Sequence, residues 1–247
     1  MTPSGKARTP EPADAGAATV VARIHETLRH EILEGELEPG TPLREESLAA
    51  RFGVSRHSVR SGIGRLVRER LAIEEPYRGV RVASFGPEEV VALQQLRGAL
   101  ETEAVRIATE RRGSFDDEAA AGAYEVLDRF RALGEREQAG EQLDWVEVER
   151  THAEFHAALV EASESPRIIA AHRTLSAELQ MFLLHVRPDY DLQRLIDDHV
   201  DLIEAIRTVG ESAVRDHLAV STALFLERAA EQGATPAAKR RRGAVGA

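Results

Sequence analysis

Apolar residues recur at helical spacing along most of this chain of 247 residues. Ile24, Leu28, Ile32 and Leu33 share one face of a helix expected over about 20–33. "GELEPG" (35–40) breaks it with Gly and Pro. A short helix is expected over about 45–51, ended by Gly53. Ser55 is then a suitable N-cap for a helix over about 56–69, in which Val59, Ile63 and Leu66 face inward. Over 71–83, "LAIEEPYRGVRVA" changes period, and its short β-prone runs around a Pro- and Gly-containing turn predict a small hairpin. "SFGPEE" (84–89) marks a boundary, with Pro87 suited to a first helical turn. Beyond it the pattern predicts six helices, roughly 87–111, 115–138, 143–163, 166–187, 190–208 and 211–231. Ser165 and Pro166 read as a cap and a first turn, and "RPDYD" (187–191) and Gly210 as further breaks. Residues 1–19 and 233–247 carry no periodic pattern and are expected to be a disordered arm and a disordered basic tail.

Composition narrows the function. Cysteine is absent, which excludes disulfides and thiolate metal sites and fits a reducing compartment. No basic N-terminal start runs into a long apolar stretch, and no run of about 18 apolar residues occurs, so a soluble, cytoplasmic protein without membrane contact is expected. The formal net charge is −10, but it is unevenly spread. Residues 1–84 carry 13 Lys+Arg against 12 Asp+Glu, and 51–81 hold eight arginines against three glutamates. A basic patch on an acidic chain is the footprint of a compact nucleic-acid-binding module.

Helix, short helix, "FGVSR", helix and hairpin is the layout of a winged helix-turn-helix, expected over 20–84. A recognition helix enters the major groove N-terminus first, where Arg56 and Arg60 can reach guanine edges or phosphates. Ser55 and His57 can add hydrogen bonds, and the hairpin tip Tyr77-Arg78-Gly79 can approach the minor groove or the backbone. "ILEGELEPGTPLREESLAARFGVSRHSVRSGIGRLVRERL", continued through "GVRV", resembles the GntR-type transcription regulators. The resemblance implies DNA contacts at Ser55, Arg56, Arg60 and Gly79, and also at Arg44 and Arg78. The sequence departs from the family where Ser58 replaces a usual Pro, "RSGI" (60–63) replaces "REAL", and Arg70 replaces a frequent Gly. Gly62 and Gly64 are expected to weaken the recognition helix by roughly 0.5–1 kcal/mol each relative to Ala.

"THAEFHAAL" (151–159) places His152 and His156 four apart on one helix face. His199 lies on the apolar stripe of Leu195, Ile196, Leu202, Ile203 and Ile206, and His217 beside Val214, Leu218, Leu224 and Phe225. Three helices thus turn imidazoles inward, and two readings stand: histidines packed in a core, or ligands of Zn, Ni, Cu or Fe. His172 also falls on an apolar face, with no reason to name it a ligand. A zinc protease is not indicated, because Ala153 stands where H-E-x-x-H requires its glutamate. No nucleophile motif or phosphate loop is visible, so no catalytic residue is assigned and an enzyme is not expected.

Residues 86–230 resemble the all-helical FCD effector domain of the FadR-like subgroup, through "LQQLRGALETEAVRIA" (93–108), "HAEFHAALVEASESPRI" (152–168) and "DHVDLIEAIRTVGESAVRDHLAVS" (198–221). The resemblance implies a divalent metal held by one Asp and three His. The histidines map onto His156, His199 and His217, and the Asp position is His152. Four imidazoles would leave the ion's charge uncancelled, so an anion such as a carboxylate effector would complete the site. Alternatively three histidines ligate without His152, or the site holds no metal. Arg97 either grips an effector carboxylate or pairs with Glu101 one turn on. The expected protein is mainly α, with an all-helical ligand-binding and dimerisation domain over 85–232. It is expected to be a homodimeric, sequence-specific repressor. It would read a two-fold symmetric double-stranded operator and respond to a small carboxylate bound near a divalent transition metal, Zn or Ni. The alternatives are a constitutive DNA-binding dimer with a metal-free pocket and a metal-dependent hydrolase fused to a DNA-binding module.

Overall fold

The computed structural model describes residues 12–84, 86–186 and 191–234, which fall into two compact units divided after Ser84. The mainly helical expectation holds. In the first unit, α1 (Pro12–Leu33), α2 (Glu45–Phe52) and α3 (Arg56–Arg68) precede a hairpin of β1 (Ala72–Glu75) and β2 (Gly79–Val82). Ile24, Leu28, Ile32, Val59, Ile63 and Leu66 are buried as the periodicity predicts. Gly53 ends α2 with a left-handed φ of 65°, and the Ser55 hydroxyl caps α3 by accepting the Ser58 N–H at 3.1 Å.

The first helix starts earlier than expected. It begins at Pro12, so residues 12–19 are helical rather than part of a disordered arm; residues 1–11 lie outside the described residues. Pro suits a first turn, and Ala13, Ala15, Ala17 and Ala18 are strong helix formers that carry the helix without apolar periodicity. The hairpin also has a neighbour that its period did not reveal. Leu43 N–H donates to Val80 O and Val82 N–H to Thr41 O, so the segment after Gly40 lies along the outer edge of β2. The hairpin turns at Pro76-Tyr77, with the Arg78 N–H closing on Glu75 O and Tyr77 at φ 65°. Arg70, where the resembled family often has Gly, sits at φ 59°.

Gly62 has a packing role rather than only a propensity cost. A Cβ there would lie 2.8 Å from Cγ2 of buried Ile24, whereas a Cβ at Gly64 would meet only the tip of Arg68 at 3.7 Å. Gly62 therefore lets α3 lie close against α1. Gly62→Ala is expected to cost about 1–2 kcal/mol, an overpacking penalty larger than the helix propensity gained. Gly64→Ala should instead gain roughly 0.5–1 kcal/mol. Hydrogen exchange of α1 and α3 amides in the full chain would read this as opposite changes in protection.

The second unit is a helical bundle of α4 (Pro87–Arg112), α5 (Asp117–Gln138), α6 (Trp145–Glu161), α7 (Pro166–Arg173), α8 (Ser176–Val186), α9 (Leu192–Val209) and α10 (Ser212–Ala234). α5 packs on α6 and α9, and α4 packs on α6, α7 and α10. Phe130, Phe155, Leu127, Leu159, Leu192 and Ile203 lie in its main core. The single helix expected over 166–187 is two helices. At the break the Thr174 and Ser176 hydroxyls bond the carbonyls of Ala171 and Arg173, three residues back, and the Thr174 and Leu175 amides also close on i−3 carbonyls. Such local bonds compete with the α-helical ladder. Ser165 stands at the N-cap of α7 but makes no side-chain cap bond; its amide donates to the Ser163 hydroxyl at 3.1 Å. Gly210 ends α9 at φ 77°. The "RPD" and Tyr190 of the expected break, and the tail from 235, lie outside the described residues.

Candidate metal centre and nucleic-acid interface

In the bundle, α6 and α9 bring His152, His156 and His199 together. One ring nitrogen of each lies within 4.8 Å of the others, and all three residues are buried, so the cluster could hold a metal ion. His217 on α10 flanks them, its ring centroid 4.9 Å from that of His199 and 5.5 Å from that of His156. Phe130 and Phe155 lie against the imidazoles. The helix pattern accounts for this placement: His152, Phe155, His156 and Leu159 form one stripe on α6, and Leu195, Ile196, His199, Leu202 and Ile203 form another on α9.

The hydrogen bonds of these rings fix their tautomers. His156 Nδ1 lies 2.9 Å from Glu101 Oε2, and His199 Nδ1 lies 2.5 Å from Leu195 O. An ionised carboxylate and a carbonyl only accept, so both Nδ1 atoms carry the proton. Both Nε2 atoms then present lone pairs, and they face each other 3.1 Å apart. Two acceptors cannot bond each other; a cation between them removes the conflict. Two nitrogens bound to one metal at about 2.0–2.1 Å, at angles between octahedral and tetrahedral, lie roughly 2.9–3.4 Å apart. Neutral buried imidazoles of this kind suit a transition metal, and the acceptors behind them orient the rings.

Behind His156 lies a charged network that the sequence reading touched only at one pair. Glu101 is fully buried and accepts from Arg97 Nε at 2.7 Å, His156 Nδ1 at 2.9 Å and His172 Nε2 at 3.0 Å. Arg97 is thus tied into the internal pair with Glu101, and its Nη1 reaches Gln94 Oε1 at 3.4 Å. Burial alone would raise the Glu101 pKa, but the Arg97 guanidinium and the two imidazole donors outweigh it and hold the carboxyl well below the usual range. Burial, with Arg97 next, pushes His156 down to about 3 despite Glu101. Burial likewise lowers His152, His199 and His217 well below the usual imidazole range, so all four are neutral at pH 7. The sequence did not show the reach of Glu101 to two imidazoles, those of His156 and His172. Gln94, Arg97 and Glu101 recur at i, i+3 and i+7 on the buried face of α4, a polar row where apolar side chains would be expected.

In the N-terminal unit, α3 exposes Arg56, His57 and Arg60. Arg44 is exposed at the N-cap of α2. The Ser55 hydroxyl already serves the cap. Arg78 is exposed beside Glu75, and Gly79 takes φ 75° with open space around it, so a left-handed turn is what requires glycine there. Two α2 carboxylates reach these α3 arginines. Arg60 Nε and Nη2 donate to Glu45 at 2.7 and 2.9 Å, and Arg56 Nη2 donates to Glu46 at 3.0 Å.

Residues 20–82 match the model of the bacterial regulatory proteins of the gntR family, and residues 92–220 match the FCD domain. The chain is 26% identical over 205 residues to the "Probable D-xylose utilization operon transcriptional repressor" of Paenarthrobacter nicotinovorans, covering 81% of this chain and 86% of that one. It is 27% identical over 198 residues to the gluconate operon transcriptional repressor of Bacillus licheniformis, covering 77% of each. Among solved structures, a GntR transcriptional regulator from Rhodococcus sp. RHA1 superposes with a TM-score of 0.62 at 25% identity, over 88% of this chain and all of that one. No helix among the described residues is long and apolar enough to cross a membrane.

Proposed function

The chain belongs to the GntR family of bacterial regulators and carries an FCD domain, and from that premise we propose a repressor whose DNA affinity is set by a small carboxylate bound at a metal centre in the bundle. DNA binding and transcription regulation follow from the family; the protein is not an enzyme. The repressor role is supported by relatives whose names describe operon repressors. A homodimer would present two recognition helices to a two-fold symmetric operator, through Arg44, Ser55, Arg56, His57, Arg60, Arg78 and Gly79.

The observation that carries the metal centre is the pair of facing Nε2 lone pairs of His156 and His199. In this reading His156, His199 and His152 ligate, with His217 as the flanking fourth imidazole. Bound there, the ion would supply an electrophilic point for an anionic ligand. The imidazole ligands are neutral, and the Glu101 carboxylate behind them is balanced by the Arg97 guanidinium. The ion's charge therefore favours a carboxylate effector as the remaining ligand. Arg97 would reach that effector only with donors not engaged by Glu101 and Gln94. Effector binding changes DNA affinity only in so far as it favours one arrangement of the dimer over the other.

The test is metal content of purified protein after loading with Zn or Ni and gel filtration. About one ion per chain is expected for the native protein, and loss of that ion for His199→Ala with its helix content intact. Unchanged stoichiometry in the variant would remove His199 from the ligand set.

A further inference from the structure

The α2 residue Glu45 lies inside the GntR-like stretch but was assigned no role from the sequence, yet it makes a two-bond contact with Arg60. Arg60 gives it both Nε–H and one Nη2–H, a side-on fork with both distances under 3 Å. The Glu45 side chain is about one-third exposed, the Arg60 side chain 71%. Arg56 differs: a single Nη2 contact ties it to Glu46, whose side chain is 84% exposed.

A guanidinium has five N–H groups in a rigid plane. Glu45 occupies one edge of Arg60. The opposite edge keeps both Nη1 hydrogens and the second Nη2 hydrogen, and Nη1 has no partner among the described residues. That edge is itself a two-pronged donor, the shape that fits guanine O6 and N7 in the major groove. Holding the long side chain in one rotamer before DNA arrives also removes part of the entropy cost of the contact. A fixed carboxylate on the same face repels phosphates, so it weakens sequence-independent attraction while leaving a base edge accessible.

We propose that Glu45 is a specificity-determining positioning residue: it clamps Arg60 edge-on so that the free edge reads a guanine and phosphate contact is disfavoured. The proposal rests on DNA binding by α3 and adds how one of its arginines discriminates. A plain surface ion pair would have little effect on either affinity.

The experiment uses the full chain, with native protein, Glu45→Gln and Arg60→Ala, on two probes. One is a pool of randomised DNA duplexes, from which each protein selects its preferred motif. The other is mixed-sequence genomic duplex at fixed salt. The native chain selecting no motif at all would overturn the DNA-reading premise itself. With a motif in hand, Glu45→Gln is expected to lose the preference for one symmetry-related guanine, the same one that Arg60→Ala loses. Its ratio of motif to mixed-sequence affinity should fall about tenfold, within the range of one bidentate base contact. Its mixed-sequence affinity should rise a few-fold. The opposite directions separate positioning from loss of fold, which would weaken binding to both probes. An unchanged motif, a ratio within twofold of native, a parallel loss on both probes, or loss of a base that Arg60→Ala still reads would each overturn the proposal.

Discussion

Replacing Glu101 with leucine is expected to destabilise the C-terminal unit by about 3–5 kcal/mol, because it strips the counter-charge from a buried guanidinium. The Arg97 side chain is 3% exposed, and Glu101 Oε1 lies 2.7 Å from its Nε. Without the carboxylate, Arg97 keeps its charge in an apolar interior. The Nδ1–H of His156 and the Nε2–H of His172 lose their acceptor as well. Each orphaned donor adds about 1–3 kcal/mol of desolvation cost, and these costs overlap rather than sum. Two controls isolate the cause. Arg97→Met combined with Glu101→Leu removes both charges, so it should recover much of the loss. Glu101→Gln keeps the shape and one acceptor, so it should fall between native and leucine. Metal affinity of the glutamine variant should drop about 10–100-fold, since the acceptor that orients His156 is weakened. Urea unfolding of the full chain and zinc titration would measure the two effects. A Glu101→Leu variant as stable as the native chain would mean that water or another anion serves Arg97.

Much of this site was legible in the sequence, and the reasons are visible in particular residues. His152 and His156 could be placed on one face because helical spacing is local, and His199 because its neighbours form an unbroken apolar stripe. Their meeting was not legible from spacing, since it depends on how α6 and α9 pack. Glu101 shows the limit most clearly. Along the helix it is only the i+4 partner of Arg97, yet it also joins His156, 55 residues away, and His172, 71 residues away. The signal was a polar row on a buried face, but apolar periodicity alone ranks such residues as interruptions. Likewise the hydroxyls that divide α7 from α8 lie within a continuous apolar pattern, which hides them. The early start of α1 went unseen for the converse reason: alanines favour a helix without marking a face. In the N-terminal unit, the turn and cap residues spoke directly. Gly53 and Ser55 act within a few bonds of themselves, whereas the demand on Gly62 comes from Ile24 on another helix.

Acid should unfold the metal-free bundle from an unusually high pH, and bound metal should delay it. Burial lowers the folded-state pKa of His152, His156, His199 and His217 below the ordinary 6.5, with His156 at about 3. In the unfolded chain each returns toward about 6.5. Between those values the unfolded state binds protons that the native state refuses, so stability falls as pH drops below about 6.5. One such group contributes at most about 1.4 kcal/mol per pH unit, and four acting together set an upper limit of about 5.5 kcal/mol per unit. Glu101 adds to the same trend lower down, because its folded pKa is also depressed and its contribution is lost as pH falls below the ordinary carboxylate value. Urea midpoints measured from pH 7 to pH 5 should therefore decline steeply in chelator-treated protein. His199→Gln should flatten the slope by about one proton. Zinc should raise the midpoint throughout this range. Its affinity for the native state should change little with pH, because the folded histidines are already neutral and no proton must leave before the ion binds. A metal affinity that instead collapsed near pH 6.5 would mean that the imidazoles titrate as exposed groups, and the buried neutral cluster would have to be given up.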